Sequence, residues 1–421
     1  MFKFIHAADI HLDSPLKGLE RYEGAPVDEL RGATRQALEN LVQLALDEEA
    51  AFVLIAGDVY DGDWHDHNTG LFFVKQMTQL REAGIRVCLI SGNHDAANRM
   101  TRSLQLPDNV VKLSAKKPQT ERWEEFGVSI HGQGFANAAV MENLASAYPT
   151  ATPGHFNIGL LHTCATGHEG HERYAPCTLD DLRTKGYDYW ALGHIHQRGK
   201  LASDAEIHFS GNIQGRHIRE AGAKGCLVVS VDDRQTAAVR FEPLDVVRWE
   251  VAAVDAAAAA DGYDVVERCG QRLRDLLSQG DGRLLAARVD VRGACGAHEA
   301  LAAEPLKWTN ELRAAAHDVG AGRVWLEKIK LRTSPEAELD DSRLGEGPLG
   351  ELVEYLGELR GRPEELGWLA DELAELKRKL PAELLQGDDP LRLDNPHWLA
   401  EQLQHVEPIL LSRLLSRAGN S

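Results

Sequence analysis

Acidic, amide and imidazole side chains cluster at five points in the amino-terminal half of the chain. The five segments are Asp9-Ile10-His11, Gly57-Asp58-Val59-Tyr60-Asp61, Gly92-Asn93-His94-Asp95, Leu160-Leu161-His162 and Gly193-His194-Ile195-His196. Any one of them alone is more often a hydrogen-bonded loop than a set of ligands. Together they supply two aspartates, one asparagine and four histidines, enough for two divalent cations that share one carboxylate. These ligand types suit Mn²⁺, Fe²⁺ or Zn²⁺ better than Ca²⁺, and the lack of thiolates disfavours a structural zinc site.

A pair of such cations points to hydrolysis of phosphate esters. Two cations about 3.5–4 Å apart lower the pKa of a water between them and hold the non-bridging oxygens of a phosphate during in-line displacement. The departing oxygen then needs a proton donor or another group that stabilises its charge. His94, beside the expected ligand Asn93, is the natural candidate. Asp61 could accept its ring N–H and fix the tautomer.

The segments follow runs that are typical of buried strands, bounded by Gly, Asp and Asn. These runs predict strands over residues 2–8, 52–56, 87–90, 128–131, 157–161, 187–192 and 226–231. Amphipathic stretches over 27–49 and 70–83 predict helices between the first strands. The alternation predicts a layered α/β core over residues 1–243, with its ligand site at the strand ends.

The pattern of amino-acid types changes after about residue 244. An Ala-rich stretch over 251–261 is expected to be a linker or a helix edge. Predicted helices over 263–277 and 301–317 and predicted strands over 284–291 and 323–331 indicate a small α+β domain over 244–335. Residues 336–421 are rich in Leu and Glu, with leucines three and four apart. This region is expected to form either a local helical bundle or a docking surface for a partner helix.

Length and composition limit the class of protein. A chain of 421 residues is expected to form two or three domains. It has no uninterrupted apolar run near ~20 residues, which excludes a membrane span. Its first residues turn acidic too soon for a secretory signal, so a cytoplasmic location is expected. The six cysteines are widely scattered, which predicts buried, reduced thiols rather than a disulfide framework.

The charge is strongly negative and unevenly distributed. The formal net charge is −19, and residues 336–421 hold 19 acidic and nine basic side chains. Nucleic acid would therefore not bind by bulk attraction, and positive charge would have to come from metal ions or a partner. Histidine has the opposite distribution, because 14 of the 18 lie at or before His217. That asymmetry also suggests a metal site.

The five segments, in this order, resemble those of the calcineurin-type metallophosphoesterase superfamily. Within it the chain is similar to the SbcD-type (Mre-type) DNA-repair exonucleases, and most of all to their YhaO-like branch. The branch is indicated by three longer segments, at 6–13 (HAADIHLD), 57–61 (GDVYD) and 210–217 (SGNIQGRH). The resemblance covers residues 1–243 well and the rest only through architecture. It implies a four-layer αββα sandwich, a small α+β capping domain at 244–335 and a C-terminal helical region at 336–421.

The resemblance also implies roles for individual residues. Asp9, His11 and His196 would hold the first metal, Asp58 would bridge, and Asn93, His162 and His194 would hold the second. His94 would be the catalytic histidine. The position three beyond the bridging aspartate is His in certain archaeal nucleases but is Asp61 here, as in protein phosphatases of the superfamily. This difference favours the His-orienting role and weakens any inference that the site positions DNA as in those nucleases. Arg216 and Arg219 are expected either to contact phosphate or to form structural salt bridges.

Three functions stand as hypotheses. The first is a Mn²⁺-dependent DNA exonuclease in repair, working with an SbcC-like coiled-coil ATPase that docks on the C-terminal helices, as family members do. The second is the same catalytic core acting on small nucleotides or other phosphoesters, which the acidity favours. The third is a protein that serves chiefly as a docking subunit of the ATPase complex. Relatives often dimerise through the catalytic domain, and the sequence leaves a homodimer open.

Overall fold

The computed structural model describes residues 1–14, 24–61, 67–97, 104–165, 173–336, 348–380, 385 and 390–418. The chain divides into two compact units, Met1–Trp249 and Glu250–Ser421. The first unit contains the region in which the sequence predicted the catalytic domain. The finer division at residues 243 and 335 stays a prediction.

Two six-stranded sheets form the first unit. The first sheet has the order β12-β11-β1-β2-β3-β4, from Ala237–Pro243, Gly225–Val231, Phe2–Ala7, Phe52–Ile55, Arg86–Leu89 and Val110–Lys112. The second has the order β5-β6-β7-β8-β10-β9, from Gln119–Trp123, Val128–Gln133, Phe156–His162, Tyr189–Gly193, Ile207–Phe209 and Gly199–Lys200. β1 to β4 pair in parallel, as do β6, β7, β8 and β10, so each sheet collects several carboxyl strand ends at one edge.

Successive residues of a strand face opposite sides of the sheet, so the apolar ones form a core on each side. Phe4 and Phe52 face the second sheet and share a buried core with Ile158 and Leu160. Ile5 lies on the opposite face of β1, in the core that the helices cover. This outer layer is α1 (Val27–Asp47) and α2 (His67–Glu82). Buried residues of each helix recur about three and four positions apart, which gives the helix one buried face.

The outer face of the second sheet is covered in its turn. A core that includes Trp190 and Leu192 of β8 and Leu182 of the short helix α4 (Leu179–Arg183) lies there. Another short helix, α3 (Asn93–Ala97), begins shortly after β3. Helices and sheets thus alternate in the order αββα, which confirms the predicted fold class. The central strands were predicted within a few residues, whereas the short β4, β9 and β10 and the hairpin partners β5 and β12 were not.

A three-stranded sheet with helices forms the first half of the second unit. Its order is β13-β14-β15, from Val247–Asp255, Leu284–Cys295 and Val324–Pro335. The helices are α5 (Gly262–Ser278), α6 (His298–Ala303) and α7 (Pro305–Gly320). The expectation of a linker or helix edge at 251–261 is wrong at its start, because residues up to Asp255 belong to β13. Ala252 and Val254 alternate with exposed positions there and enter the core, so the Ala-rich stretch concealed a strand with one buried face.

The described residues after this sheet include the helices α8 (Pro348–Gly361), α9 (Gly367–Glu372), α10 (Ala374–Lys379) and α11 (Pro396–Ala418). Leu359, Leu366 and Leu399 are buried together, as a local helical bundle requires. Other large apolar side chains of this region are exposed, namely Tyr355, Trp368, Leu376, Val406 and Leu414. The alternative of a partner-docking surface stays a prediction.

Two expectations from composition can be compared with the structure. All six cysteines are free and buried, which confirms that no disulfide framework holds this chain together. Among the helices in the described ranges, none combines the length and the apolar composition needed to cross a membrane.

Candidate metal centre

The predicted ligands lie at the carboxyl ends of strands from both sheets. Asp9 and His11 follow β1, Asp58 follows β2 and Asn93 follows β3, whereas His162 ends β7 and His194 and His196 follow β8. Three overlapping groups have ligand atoms within 4.8 Å of one another: Asp9, His11 and His196; His11, Asp58 and His94; and Asp9, Asp58 and His162. Oδ1 of Asn93 lies 3.0 Å from Nε2 of His162, and the ring centres of His162 and His194 are 5.1 Å apart. The structure therefore brings all seven predicted ligands together.

The backbone at these positions is unusual for residues with a side chain. The φ angles are 51° at Asp9, 47° at His11, 51° at Asp58 and 97° at His194. Left-handed backbone outside glycine costs of order 1–3 kcal/mol per residue and concentrates at functional sites. Here hydrogen bonds across the strand ends hold it, because the amide of His11 donates to the carbonyl of Asp58 at 3.1 Å. The amide of His194 donates to the carboxylate of Asp9 at 3.0 Å.

Glycines precede three of the ligands because no side chain would fit there. A Cβ at Gly57 would lie 2.5 Å from Nδ1 of His162. A Cβ at Gly92 would lie 2.2 Å from Oδ1 of Asp58, and one at Gly193 would lie 2.1 Å from a backbone carbonyl oxygen at the end of β2. The glycines of the sequence motifs therefore allow the strand ends to approach closely enough to gather the ligands.

His94 has the environment that an acid catalyst needs. Its Nδ1 lies 3.0 Å from Oδ1 of Asp61, and its amide donates to Oδ1 of Asp58 at 2.9 Å. Burial opposes a charged ring, but the hydrogen bond to Asp61 and the two carboxylate charges raise the pKa of His94. The hydroxyl of Ser14 donates to the other oxygen of Asp61. Nδ1 of His94 is thus held as a donor to Asp61, as the predicted role of Asp61 requires.

Burial and charge act against each other at the ligands. Burial raises the pKa of Asp9. At Asp58 burial acts in the same direction, but His162, His11 and His94 overcome it and hold the pKa of the carboxyl well below its usual range. Burial likewise opposes a charge on His162, but Asp58 raises the pKa of its ring to about 9. The buried carboxylates are thus stabilised by positive charge on the imidazoles around them. A bound cation would supply that positive charge more directly.

Two family models match the chain. Residues 2–198 match the calcineurin-like phosphoesterases, and residues 249–334 match the middle domain of the metallophosphoesterase YhaO. The uncharacterized metallophosphoesterase YhaO of Bacillus subtilis (strain 168) is 35% identical over 346 residues, which cover 80% of this chain and 83% of that protein. The chain belongs to the calcineurin-like metallophosphoesterases. A crystal structure of a dimetal phosphatase from Danio rerio aligns at 11% identity and a TM-score of 0.35, over 57% of this chain and 98% of that one.

The residues of this metallophosphoesterase fit a pair of metal ions. Nδ1 of His11 is buried without a hydrogen-bond partner in the described part of the chain, and the nearest oxygen of Asp61 is 3.6 Å away. Nε2 of His11 lies 3.2 Å from Nε2 of His196, too close for both nitrogens to carry a proton. Burial and the charge of Arg216 lower the pKa of His11 to about 3, which keeps the ring in the neutral form that binds metal. Family and donor set together support a dimetal site.

The two predicted substrate-binding arginines have different surroundings. Arg216 is mostly buried and pairs with Glu220 at 2.8 Å and with Asp61 at 3.4 Å. Arg219 lies on the surface of a 3-10 helix, Ile218–Glu220, and makes interactions of its own. The predicted contact of either arginine with phosphate stays a prediction.

Two acidic residues that shape the site were not predicted from the sequence. Glu220 accepts a hydrogen bond from Nδ1 of His196 at 2.7 Å. Asp95 accepts from the amides of Val59, Tyr60 and Gly92 at 3.2, 3.0 and 3.0 Å, and so ties the loop after β2 to the loop after β3. Asp95 belongs to one of the five segments, and its position beside His94 could have drawn attention to it. No sequence pattern connects Glu220 with a histidine 24 residues earlier.

Proposed function

We propose that this metallophosphoesterase is a two-metal phosphodiesterase that cleaves DNA from its ends, as the SbcD-type nucleases do. One observation supports the phosphodiesterase part of the proposal. Carboxylates and imidazoles from several strand ends form overlapping groups of three whose ligand atoms lie within 4.8 Å of one another, and His94, which contacts Asp61, belongs to one of these groups. The DNA part rests on the resemblance of residues 1–243 to that branch of the family. A cytoplasmic location belongs to the same proposal.

The metal ligands have defined tasks in this mechanism. Asp9, His11 and His196 would hold one cation, Asn93, His162 and His194 the other, and Asp58 would contact both. Mn²⁺ is the proposed metal, and Fe²⁺ and Zn²⁺ also suit these donors. When bound, the pair would neutralise phosphate charge and lower the pKa of an attacking water.

His94 would act on the leaving group. Because Asp61 holds its Nδ1, Nε2 carries the second proton of the charged ring. That proton would pass to the sugar oxygen as its bond to phosphorus breaks. The raised pKa of His94 keeps the ring protonated more readily than an ordinary histidine.

The test uses end-labelled duplex and single-stranded DNA with Mn²⁺, beside a chromogenic phosphodiester. We expect the wild-type protein to degrade DNA from its ends. His94→Gln should keep its metal and lose turnover of DNA, whose sugar oxygen needs a proton to leave, whereas Asp58→Asn should lose both metal and turnover. A His94→Gln protein with full metal content and normal turnover of DNA would show that the role given to His94 is wrong.

A second candidate is hydrolysis of small phosphodiesters or phosphomonoesters. The net charge of −19 favours it, because a polyanionic duplex gains little from such a surface. A cyclic nucleotide and a phosphomonoester added to the same panel separate the two candidates. Cleavage of the small substrates alone would direct attention to a small physiological ester or to a partner that supplies positive charge.

A third candidate is a docking role for the C-terminal helices. The exposed Tyr355, Trp368 and Leu376 favour it, because they are large apolar side chains on an acidic region. The proposed partner is a coiled-coil ATPase of the SbcC type. Removal of the residues after Pro335 should abolish co-purification with it and spare hydrolysis of a small diester. Loss of both activities together would contradict a separate docking role.

A further inference from the structure

One guanidinium connects two parts of the candidate catalytic machinery. Arg216 lies between β10 and β11, and its side chain is only 13% exposed. Its Nε and Nη2 donate to the carboxylate of Glu220 at 3.3 and 2.8 Å. On its other side, Nη1 donates to Oδ2 of Asp61 at 3.4 Å. All three side-chain nitrogens are therefore engaged with carboxylates of the protein.

The first of these carboxylates, Glu220, accepts a hydrogen bond from the proposed metal ligand His196. Glu220 is 5% exposed and accepts from Nδ1 of His196 at 2.7 Å, from Nδ2 of Asn212 at 2.9 Å and from the amide of Arg216 at 2.8 Å. A carboxylate that accepts Nδ1–H fixes the ring and leaves Nε2 free to bind a cation.

The second carboxylate, Asp61, contacts the proposed acid His94. Asp61 holds Nδ1 of His94 at 3.0 Å and also accepts from the hydroxyl of Ser14. The guanidinium of Arg216 connects Asp61 to Glu220, because its planar group of N–H donors can form hydrogen bonds to two carboxylates at once. A lysine is a poorer substitute, since its ammonium is a point charge on a flexible chain.

We propose that Arg216 is a positioning residue that fixes, through Glu220 and Asp61, both the metal ligand His196 and the acid His94. The inference rests on the proposed two-metal phosphodiesterase function and deepens it. It differs from the direct phosphate contact predicted from the sequence. A phosphate contact would act on substrate binding, whereas positioning acts on metal affinity and on departure of the leaving group.

The test compares Arg216→Met, Arg216→Lys, Glu220→Gln and Asp61→Asn in the full chain. Stepwise Mn²⁺ affinity is measured by titration calorimetry and electron paramagnetic resonance, with His196→Gln and His162→Gln assigning the two steps. Turnover is measured on two phosphodiesters, one with a nitrophenolate leaving group and one with a sugar alkoxide. The alkoxide needs a proton from His94, whereas nitrophenolate is stable enough to leave without one.

We expect Arg216→Met to weaken binding of the first Mn²⁺, the one assigned to Asp9, His11 and His196, by about 10–100-fold. This is the range for losing a residue that hydrogen-bonds to a metal ligand. The second Mn²⁺ should bind nearly as in wild type, and kcat should fall much more for the alkoxide than for nitrophenolate. Glu220→Gln should reproduce only the metal effect and Asp61→Asn only the leaving-group effect. Arg216→Lys should recover at most part of each.

The matched control is Arg183→Met. Arg183 also spans two carboxylates, Asp180 at 3.3 Å and Asp204 at 2.7 Å, but on the surface, so its loss should change neither measurement. A change in either would overturn the proposal, because any lost arginine would then produce it.

Two other outcomes for Arg216→Met would overturn the proposal. Unchanged Mn²⁺ affinities with a raised KM would assign the arginine to phosphate. An equal fall of both Mn²⁺ affinities together with the melting temperature would mean that the arginine only supports the fold. A wild-type protein that binds no Mn²⁺ and cleaves neither diester would instead refute the proposed function, and this inference with it.

Discussion

Gly92 offers a sharp test of how the strand ends assemble the site. Its backbone passes so close to Asp58 that a Cβ would lie 2.2 Å from Oδ1 of that residue, 2.8 Å from its carboxyl carbon and 2.8 Å from its backbone nitrogen. The nitrogen belongs to the main chain after β2 and cannot rotate away. Gly92→Ala must therefore displace Asp58, the proposed bridging ligand, or the segment that carries Asn93 and His94.

The expected size of the effect follows from that displacement. To restore an ordinary contact, Oδ1 of Asp58 must move by roughly 1 Å, and a shift of that size in catalytic groups costs about 10²-fold in rate. Overpacking also destabilises a core by about 1–3 kcal/mol. We expect Gly92→Ala to fold with a lowered melting temperature, to bind Mn²⁺ more weakly and to lose about 100-fold or more in diester turnover.

The assay combines thermal unfolding with and without Mn²⁺, metal analysis and hydrolysis of a chromogenic diester. Gly32→Ala is the matched control, because Gly32 lies in α1 and a Cβ there would have nothing within 4 Å. That change should leave activity intact and stabilise the helix by about 0.5–1 kcal/mol. A Gly92→Ala protein with wild-type metal content and wild-type turnover would refute the idea that close approach at Gly92 sets the position of Asp58.

Three further predictions concern stability and burial. Burial and the charge of His208 lower the pKa of His6 from 6.5 to about 3, so the unfolded chain binds this proton more readily and stability falls as the pH drops below 6.5. From roughly pH 7 to 5, urea unfolding of chelator-treated wild type should lose about 2 kcal/mol more than that of His6→Gln, and equal losses would contradict the buried, neutral ring. The six buried cysteines should react with a thiol reagent only after unfolding, and fast labelling of the native protein would argue against their burial. In the second unit, Arg288→Met should cost about 3–5 kcal/mol in a thermal or urea unfolding assay, because it leaves a buried carboxylate without its partner. That carboxylate is Glu327, 2.8 Å from Arg288, and Arg288→Met/Glu327→Met should be less destabilised than the single variant.

Most of the metal centre could be predicted from the sequence because the site is built from local segments. Each segment holds its ligands at the end of a strand or within four residues of it, and parallel strands bring their carboxyl ends to one edge of a sheet. Residue types and strand ends therefore sufficed to predict that Asp9 and Asp58, which follow neighbouring strands of the first sheet, would meet. The glycines before the ligands were visible too, but the reason for them was not, because the distance from Gly92 to Asp58 exists only in the folded chain.

The Ala-rich start of β13 shows where prediction from local sequence fails. Small apolar residues fit a linker, a helix edge or a strand equally well, and only the sheet partners distinguish between them. The short edge strands were missed for a related reason, since two or three residues carry too little alternation to predict a strand.

The types and the order of the donor residues are enough to show the resemblance to the metallophosphoesterases, and that resemblance implies the αββα core. The contacts that hold those donors in place arise only when the chain folds. Glu220 reaches a histidine 24 residues away, and Arg216 reaches Asp61 across 155 residues. Such contacts depend on how two sheets pack together. The sequence shows that a side chain is charged but not which residue it pairs with, so no spacing rule could have predicted these pairs.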